Sequence, residues 1–346
     1  MRDGTLIEQP VHQVPAGLAA FLSPIQHHLD RPDVIELCIN RPLELFVETH
    51  AGWKVERIDA LTYSHLSSLA ATVASFTRQS IGPTKPILSG TLPGGERIQI
   101  VLPPAVPQGT VSITIRKPSE RSFSLEDFEK AGMFKKIQTE AGALSVLDLS
   151  LLDLYEANSW KAFLLSAVRY KKNILISGAT GSGKTTFAKA LIPSIPAHER
   201  ILTIEDTLEL ILPQPNIVRL IYSKGDQGQA RVSARDLLES ALRMRPDRIL
   251  LQELRDAAAF YYLRNVNTGH SGSITTIHAN TAMLAFEQLA LLVKESEAGR
   301  DLKRSEIKAM LFQMVDVVVQ VKRTNGHFHI SEIFYDPTRK LEEAKT

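Results

Sequence analysis

The chain has 346 residues, of which 44% are hydrophobic, 23% charged and 6% aromatic, an ordinary globular composition too long for one ordinary core, so two domains are expected. A formal net charge of +2 gives no electrostatic argument for nucleic acid as the main partner. The single cysteine, Cys38, excludes an intrachain disulfide and a cysteine-rich zinc site, fits a reducing setting, and reads as a small buried hydrophobe.

Residues 1–20 lack a basic segment followed by an apolar core and a cleavage site, so a signal peptide is not expected. Apolar windows such as 315–321 fall far short of the roughly 18 to 20 residues a bilayer span needs, and a soluble chain is expected. No repeat of solenoid length is found.

The first third reads as a mixed α/β unit. Residues 34–39 and 43–49 are short alternating or apolar runs separated by Asn40-Arg41-Pro42. With the Ala51-Gly52 turn before Trp53, they predict a β meander. Residues 65–78 carry Leu66, Leu69, Val73 and Phe76 at helical spacing. Residues 97–102, after Pro93-Gly94-Gly95, and 110–116, before Pro118, are further strands. The expectation for 1–118 is a small amino-terminal α/β domain, a curved sheet with one or two helices.

Residues 119–159 change character. A short helix closed by Gly132 is expected over 124–132, and 144–154 is acidic and leucine-rich. The stretch reads as a linker region, or as the helical lead-in to a second domain.

Across 160–346 helix and strand alternate. A helix over 160–170 leads into an apolar strand, 173–177, followed by a glycine loop and a helix from Lys184. Further buried strands are expected at 200–204, 248–252, 273–278 and 315–321, with helices between most of them, including 233–243 and 281–294. Such alternation predicts a mainly parallel sheet with helices on both faces. Gly326 turns the chain into a last antiparallel strand over 327–334.

Gly178-Ala179-Thr180-Gly181-Ser182-Gly183-Lys184-Thr185 matches G-x-x-x-x-G-K-[ST] at every fixed position, after an apolar strand and at the start of a helix. Glycines let the backbone wrap phosphates with inward N–H groups, and the helix terminus adds a favourable dipole. Lys184 is expected to reach the β and γ phosphates, and the Thr185 hydroxyl to bind Mg²⁺. The cofactors expected are therefore ATP and Mg²⁺, held by 178–186 with Thr186 included. The bland alternative is a glycine turn between strand and helix. A GTPase would need [NT]KxD late in the chain, but Ser223-Lys224-Gly225-Asp226 begins wrongly and comes too early. A transporter ATPase would need an LSGGQ-like signature after the loop, whereas Leu92-Pro93-Gly94-Gly95-Glu96 precedes it.

Three further boxes follow the loop. Arg248 to Glu253 is an apolar strand ending in a carboxylate, 69 residues after Lys184 (253 − 184). A carboxylate at that sheet edge can orient and deprotonate the attacking water. The strand before Glu205 and Asp206 repeats the design, suggesting water positioning and a place near Mg²⁺. In 268–280, His270 and His278 flank a β-like run, and a histidine near the γ phosphate can sense ATP against ADP. No further Cys or His nearby supplies a third ligand for a metal.

The order of these boxes over 173–280 resembles the secretion ATPases: hexameric RecA-like motors of type IV secretion, related to type II secretion and pilus ATPases. The chain looks most like the type IV secretion traffic ATPase, being short and lacking the four-cysteine module of the type II members. Residues 92–99 and 111–118 resemble the end of that family's amino-terminal domain. The resemblance implies that Glu253 is the catalytic carboxylate, that Glu205 and Asp206 form an aspartate box, and that His270 and His278 form a histidine box. It implies that Arg116 reaches the phosphates, with Arg97 a weaker candidate and Arg255 contributing from the motor domain. An arginine supplied across a domain or subunit boundary neutralises transition-state charge. Gln252 stands where many members carry glycine, and its side chain is expected to face away.

The resulting expectation is a small mixed α/β amino-terminal domain plus a RecA-like P-loop motor domain with a mainly parallel sheet. It is expected to be a cytoplasmic ATP hydrolase, peripherally associated with the inner membrane, that powers export or assembly of a bacterial type IV secretion system. A homo-hexamer, inner-membrane components of that system and an exported protein or nucleoprotein are the implied partners, without direct DNA binding. Competing readings are a pilus or type II assembly ATPase, a nucleotide-gated docking switch with little turnover, and a nucleic-acid motor, which would show DNA-stimulated, salt-sensitive turnover.

Overall fold

The computed structural model describes residues 14–118, 124–137, 143–223 and 230–343. Parts of the 119–159 stretch and most of the 223–226 tetrapeptide lie outside them. The described residues divide into two compact units, 14–118 with 230–231, and 124–223 with 232–343.

The first unit runs α1 (Ala16–Leu29), β1 (Val34–Ile39), β2 (Glu44–Thr49), β3 (Gly52–Arg57), α2 (Tyr63–Phe76), β4 (Ile87–Thr91), β5 (Arg97–Val101) and β6 (Ser112–Arg116). Its six-stranded sheet has the order β3-β2-β1-β6-β5-β4, and every pair is antiparallel. Alternate residues share a face. Leu37, Ile39, Leu45, Val47, Ile98, Ile100, Ile113 and Ile115 thus form one apolar surface, packed with Leu18, Leu22 and Ile25 of α1 and Leu66, Leu69 and Val73 of α2. α1 escapes sequence reading because it follows Pro15 and carries Pro24 within it, which pattern reading takes as a breaker.

The second unit begins with α3 (Leu125–Lys130), whose Ser124 and Asp127 form a reciprocal N-terminal cap, and α4 (Val146–Glu156). α4 is no slack tether. Leu151 is buried in the core of this unit, the Tyr155 hydroxyl donates to Ile333 O at 2.7 Å, and Asp148 accepts from Lys172 and Tyr335. The second compact unit therefore starts before Trp160. The remaining elements are α5 (Trp160–Arg169), β7 (Ile174–Ser177), α6 (Lys184–Leu191), β8 (Ile201–Glu205), β9 (Ile217–Ile221), α7 (Ala234–Ala241), β10 (Arg248–Leu251), α8 (Ala258–Asn267), β11 (Ile274–Ile277), α9 (Ala282–Glu295), α10 (Arg304–Met314), β12 (Val317–Thr324), β13 (His327–Tyr335) and α11 (Pro337–Glu343).

Strands β9, β8 and β10 form one parallel sheet, and β11, β7 and β12 another, which β13 closes as an antiparallel edge. A single parallel bridge, Glu253 to Thr276, joins the end of β10 to β11. β7, β8, β10 and β11 are buried along their whole length, which is why they read as continuous apolar runs. The mixed α/β architecture matches the sequence expectation. β4 and β9 were not expected; β9 is short and follows Pro213 and Pro215.

Candidate active site

All six parallel strands, β7 to β12, run the same way, so their carboxyl ends share one edge. β7 ends there at Ser177, and the chain turns at once into 178–183 before α6 opens at Lys184. The turn needs its glycines. A Cβ on Gly178 would lie 2.5 Å from Val321 O, and Gly183 holds a left-handed φ of 91° as the residue before the helix. Ala179, Thr180, Gly181 and Thr186 are exposed, Thr185 is half-buried, and the buried Ser182 hydroxyl has no hydrogen-bond partner. The first amides of a helix also have no partner within it.

Lys184 lies inside this loop, and burial pulls its ammonium below the ordinary lysine value, with the Glu253 charge opposing. Its three protons have three acceptors: Gly178 O at 2.9 Å, Ala179 O at 3.0 Å and His278 Nδ1 at 3.3 Å. An ammonium can only donate, so Nδ1 accepts and the imidazole proton sits on Nε2. Nε2 lies 3.1 Å from Glu253 Oε1. The other Glu253 oxygen accepts from Arg255 Nη2 at 2.6 Å, and Arg255 Nη1 reaches Asp206 Oδ2 at 2.9 Å. The Glu253 bond is the first cause of an Arg255 value held well above the ordinary one. An unbroken chain thus runs Lys184–His278–Glu253–Arg255–Asp206, drawing on residues far apart in sequence. Next to it Tyr222, at the end of β9, is pushed up to about 12 by burial and by the Asp206 charge.

Two expectations need correction. Glu205 is fully buried and its carboxylate is filled: Thr203 Oγ1 donates at 2.7 Å, the Glu209 and Leu210 amides at 2.8 and 2.9 Å, and Arg219 at 3.2 and 3.1 Å. It has no room to hold water or metal ligands, and instead ties β8 to the following loop and to β9. His270 lies at the opposite edge of the sheet from the loop. It precedes β11, beside Gly272 and Ser273, whose amides donate to the Asn173 side chain just before β7. His278 lies eight positions further on (278 − 270), and an extended chain advances roughly 3.3 Å per residue, so one short strand cannot bring both to one phosphate loop. Burial lowers the pKa of His270.

Arg116 and Arg97 are direct cross-strand partners on β6 and β5, both exposed. Like charges placed opposite one another are destabilising, and Arg116 also stands opposite Glu36 of β1, which offsets that repulsion. The Gln252 side chain is buried, and its backbone carbonyl accepts from Thr276 Oγ1 at 3.0 Å. Arg219 and Tyr222 went unnoticed in the sequence. An arginine in the middle of the apolar run Ile217–Ile221 was the available signal.

A glycine cradle with a buried lysine, an orphaned hydroxyl and a facing carboxylate defines a phosphate-loop ATPase. Comparison with known proteins carries this further. The family model described as type II/IV secretion system protein matches residues 23–332. The type IV secretion system protein VirB11 of Bartonella henselae is 53% identical over 330 residues, covering 92% of this chain and 93% of that protein. VirB11 of Brucella suis biovar 1 is 45% identical over 333 residues, covering 94% and 92%. The crystal structure of the VirB11 ATPase from the Brucella suis type IV secretion system in complex with sulphate superposes with a TM-score of 0.90 at 44% identity, covering 94% of this chain and all of that one. The chain belongs to the type II/IV secretion system protein family and is an ATP-hydrolysing P-loop enzyme. Among the described residues no helix is long and apolar enough to cross a membrane.

Proposed function

We propose that this chain is the ATP-driven motor of a bacterial type IV secretion machine, working at the cytoplasmic face of the inner membrane. A homo-hexamer held by inner-membrane components of that machine, exporting protein or nucleoprotein or assembling the apparatus, is the reading that its VirB11 relatives support best. A type II role is disfavoured by the single cysteine, which leaves no four-cysteine module.

Within the site, Lys184 exchanges its carbonyl and histidine partners for the β and γ phosphate oxygens, beside the amides of 181–186. The buried Ser182 hydroxyl and the glycine cradle fit such a group. Thr185 and Asp206 are the residues that would hold Mg²⁺, which supplies charge neutralisation on the phosphates. Glu253 takes the proton from the attacking water. His278, fixed between Lys184 and Glu253, registers whether the lysine has turned to a terminal phosphate. Arg255 positions Glu253 and Asp206, and Glu205 positions the β8 edge from beneath. Arg116, with Arg97 beside it, is the anion-binding pair that the first unit offers.

The unbroken hydrogen-bonded chain from Lys184 to Asp206 carries this reading. Its test is a pair of variants in the full-length protein. Glu253→Gln should cut ATP turnover by roughly 10²–10⁴-fold while ATP binding stays within a few fold. Lys184→Ala should lose both turnover and tight binding. Turnover that survives Glu253→Gln would remove the carboxylate from the mechanism.

A further inference from the structure

We propose that Phe328, with Ile330 on the same strand face and the Arg323 guanidinium over its ring, is the platform on which the purine base of ATP stacks. The inference rests on the reading that the loop at 178–186 holds the triphosphate, and it names the surface that receives the other end of that molecule.

The placement follows from strand register. β12 runs parallel to β7, with Val317 opposite Ile174 and Gln320 opposite Ser177. β7 stops there and becomes the phosphate loop, whereas β12 continues to Thr324 and returns as β13, with Arg323 opposite Phe328 and Val321 opposite Ile330. The tip of this hairpin therefore stands beside the loop. A Cβ added to Gly183 would lie 3.0 Å from Phe328 Cδ1, so the ring rests against the loop's last glycine.

Phe328 is nevertheless 60% exposed, and Ile330, two residues on, is 38% exposed. The Arg323 guanidinium lies 5.2 Å from the ring centroid, within range of a cation–π contact. A large aromatic this exposed at the mouth of a site has surface to offer a base, with Arg323 as the cation that shares it.

The direction of the triphosphate selects the occupant. His278 follows β11, which pairs with the edge of β7 opposite β12. Lys184 points to that side, where Glu253 waits. A chain of phosphates ending at Glu253 therefore extends along the loop away from β11 and towards the hairpin, bringing its base to Phe328. Aromatic faces stack bases with little regard for identity, because every base has a π face. Phe328 should thus supply affinity for the nucleoside and little discrimination between adenine and guanine.

Steady-state turnover by full-length wild-type protein and variants tests the inference, with inorganic tripolyphosphate as a baseless competitor. Phe328→Ala should raise KM for ATP about tenfold with kcat within about threefold, and Phe328→Trp should restore KM. Tripolyphosphate should inhibit wild type and Phe328→Ala equally. An equal loss of ATP and tripolyphosphate affinity would mean that the ring only shapes the loop at Gly183. An unchanged KM, with or without a shift in oligomeric state, would overturn the base platform; with such a shift the ring would belong to a contact between copies. Should wild type neither hydrolyse ATP nor respond to tripolyphosphate, the nucleotide site itself would fall, an outcome separate from all of these.

Discussion

The two edges of the motor sheet carry the same kinds of charge and spend them differently. At the amino edge Arg200 and Arg248 are fully buried. Arg248 is gripped by Glu199 through Nε at 2.7 Å and Nη2 at 3.1 Å, and its Nη1 donates to Gly272 O. Arg200 donates to Met244 O and to Asn216, and the Asn173 amide donates to Asp316. At the carboxyl edge Arg255 and His278 remain 38% and 46% exposed and bond mainly to other members of the same polar chain. Bonds that water can reach are cheap to exchange, whereas a desolvated ion pair is not. One edge fixes where the strands begin, and the other keeps partners that a ligand can replace.

That contrast can be broken from the amino edge first. Arg248→Met should cost about 3–5 kcal/mol of stability in urea titrations, because it leaves the buried Glu199 carboxylate to the longer, half-exposed contact with Lys171. The two histidines give the next largest contrast. His278→Ala should lower kcat by roughly 10- to 100-fold, less than a direct proton acceptor, while His270→Ala should leave it within about threefold. Equal effects from the two would erase the distinction between the edges.

The smallest effect is a pH dependence. Burial pushes Glu199 up, but the Arg248 hydrogen bond and charge, with Lys171 adding, outweigh it and hold the carboxyl below its ordinary value. A carboxylate depressed by folding stabilises the protein above its unfolded pKa, roughly 4.3. That contribution is lost as pH falls through the folded value. Urea titrations of wild type should therefore show stability falling below about pH 4, and the fall should be shallower in Arg248→Met.

Much of the site was legible because its chemistry demands fixed spacing. The run from Gly178 to Thr185 has one backbone solution, and Glu253 ends an apolar strand. Glu205 was misread because a carboxylate at a strand end looks the same in sequence whether it faces out or in. What decides it is Arg219, brought alongside by a strand pairing, together with the amides of the loop that follows β8. His270 was misread because two histidines in one box seemed to share one place, although the strand between them separates the two edges. Phe328 could not be read, since its contact with Gly183 depends on how far a hairpin overshoots its neighbour. In the first unit the alternation of β1, β2, β5 and β6 was readable, while β4 was not read and α1 was hidden by its internal proline.

The anchoring of α4 has a consequence for how the chain is made. Asp148 accepts from Tyr335, and β7 has β12 as one of its two neighbours. The central strand of the motor therefore keeps a bare edge on the ribosome until residues 317–324 have emerged, and the α4 helix waits still longer for its tyrosine. The first unit, by contrast, has all its sheet partners within 34–116 and can fold while the rest is being translated. Synthesis should thus pass through a long stage with a finished first unit and an open motor sheet, the stage at which a nascent copy is most exposed to aggregation.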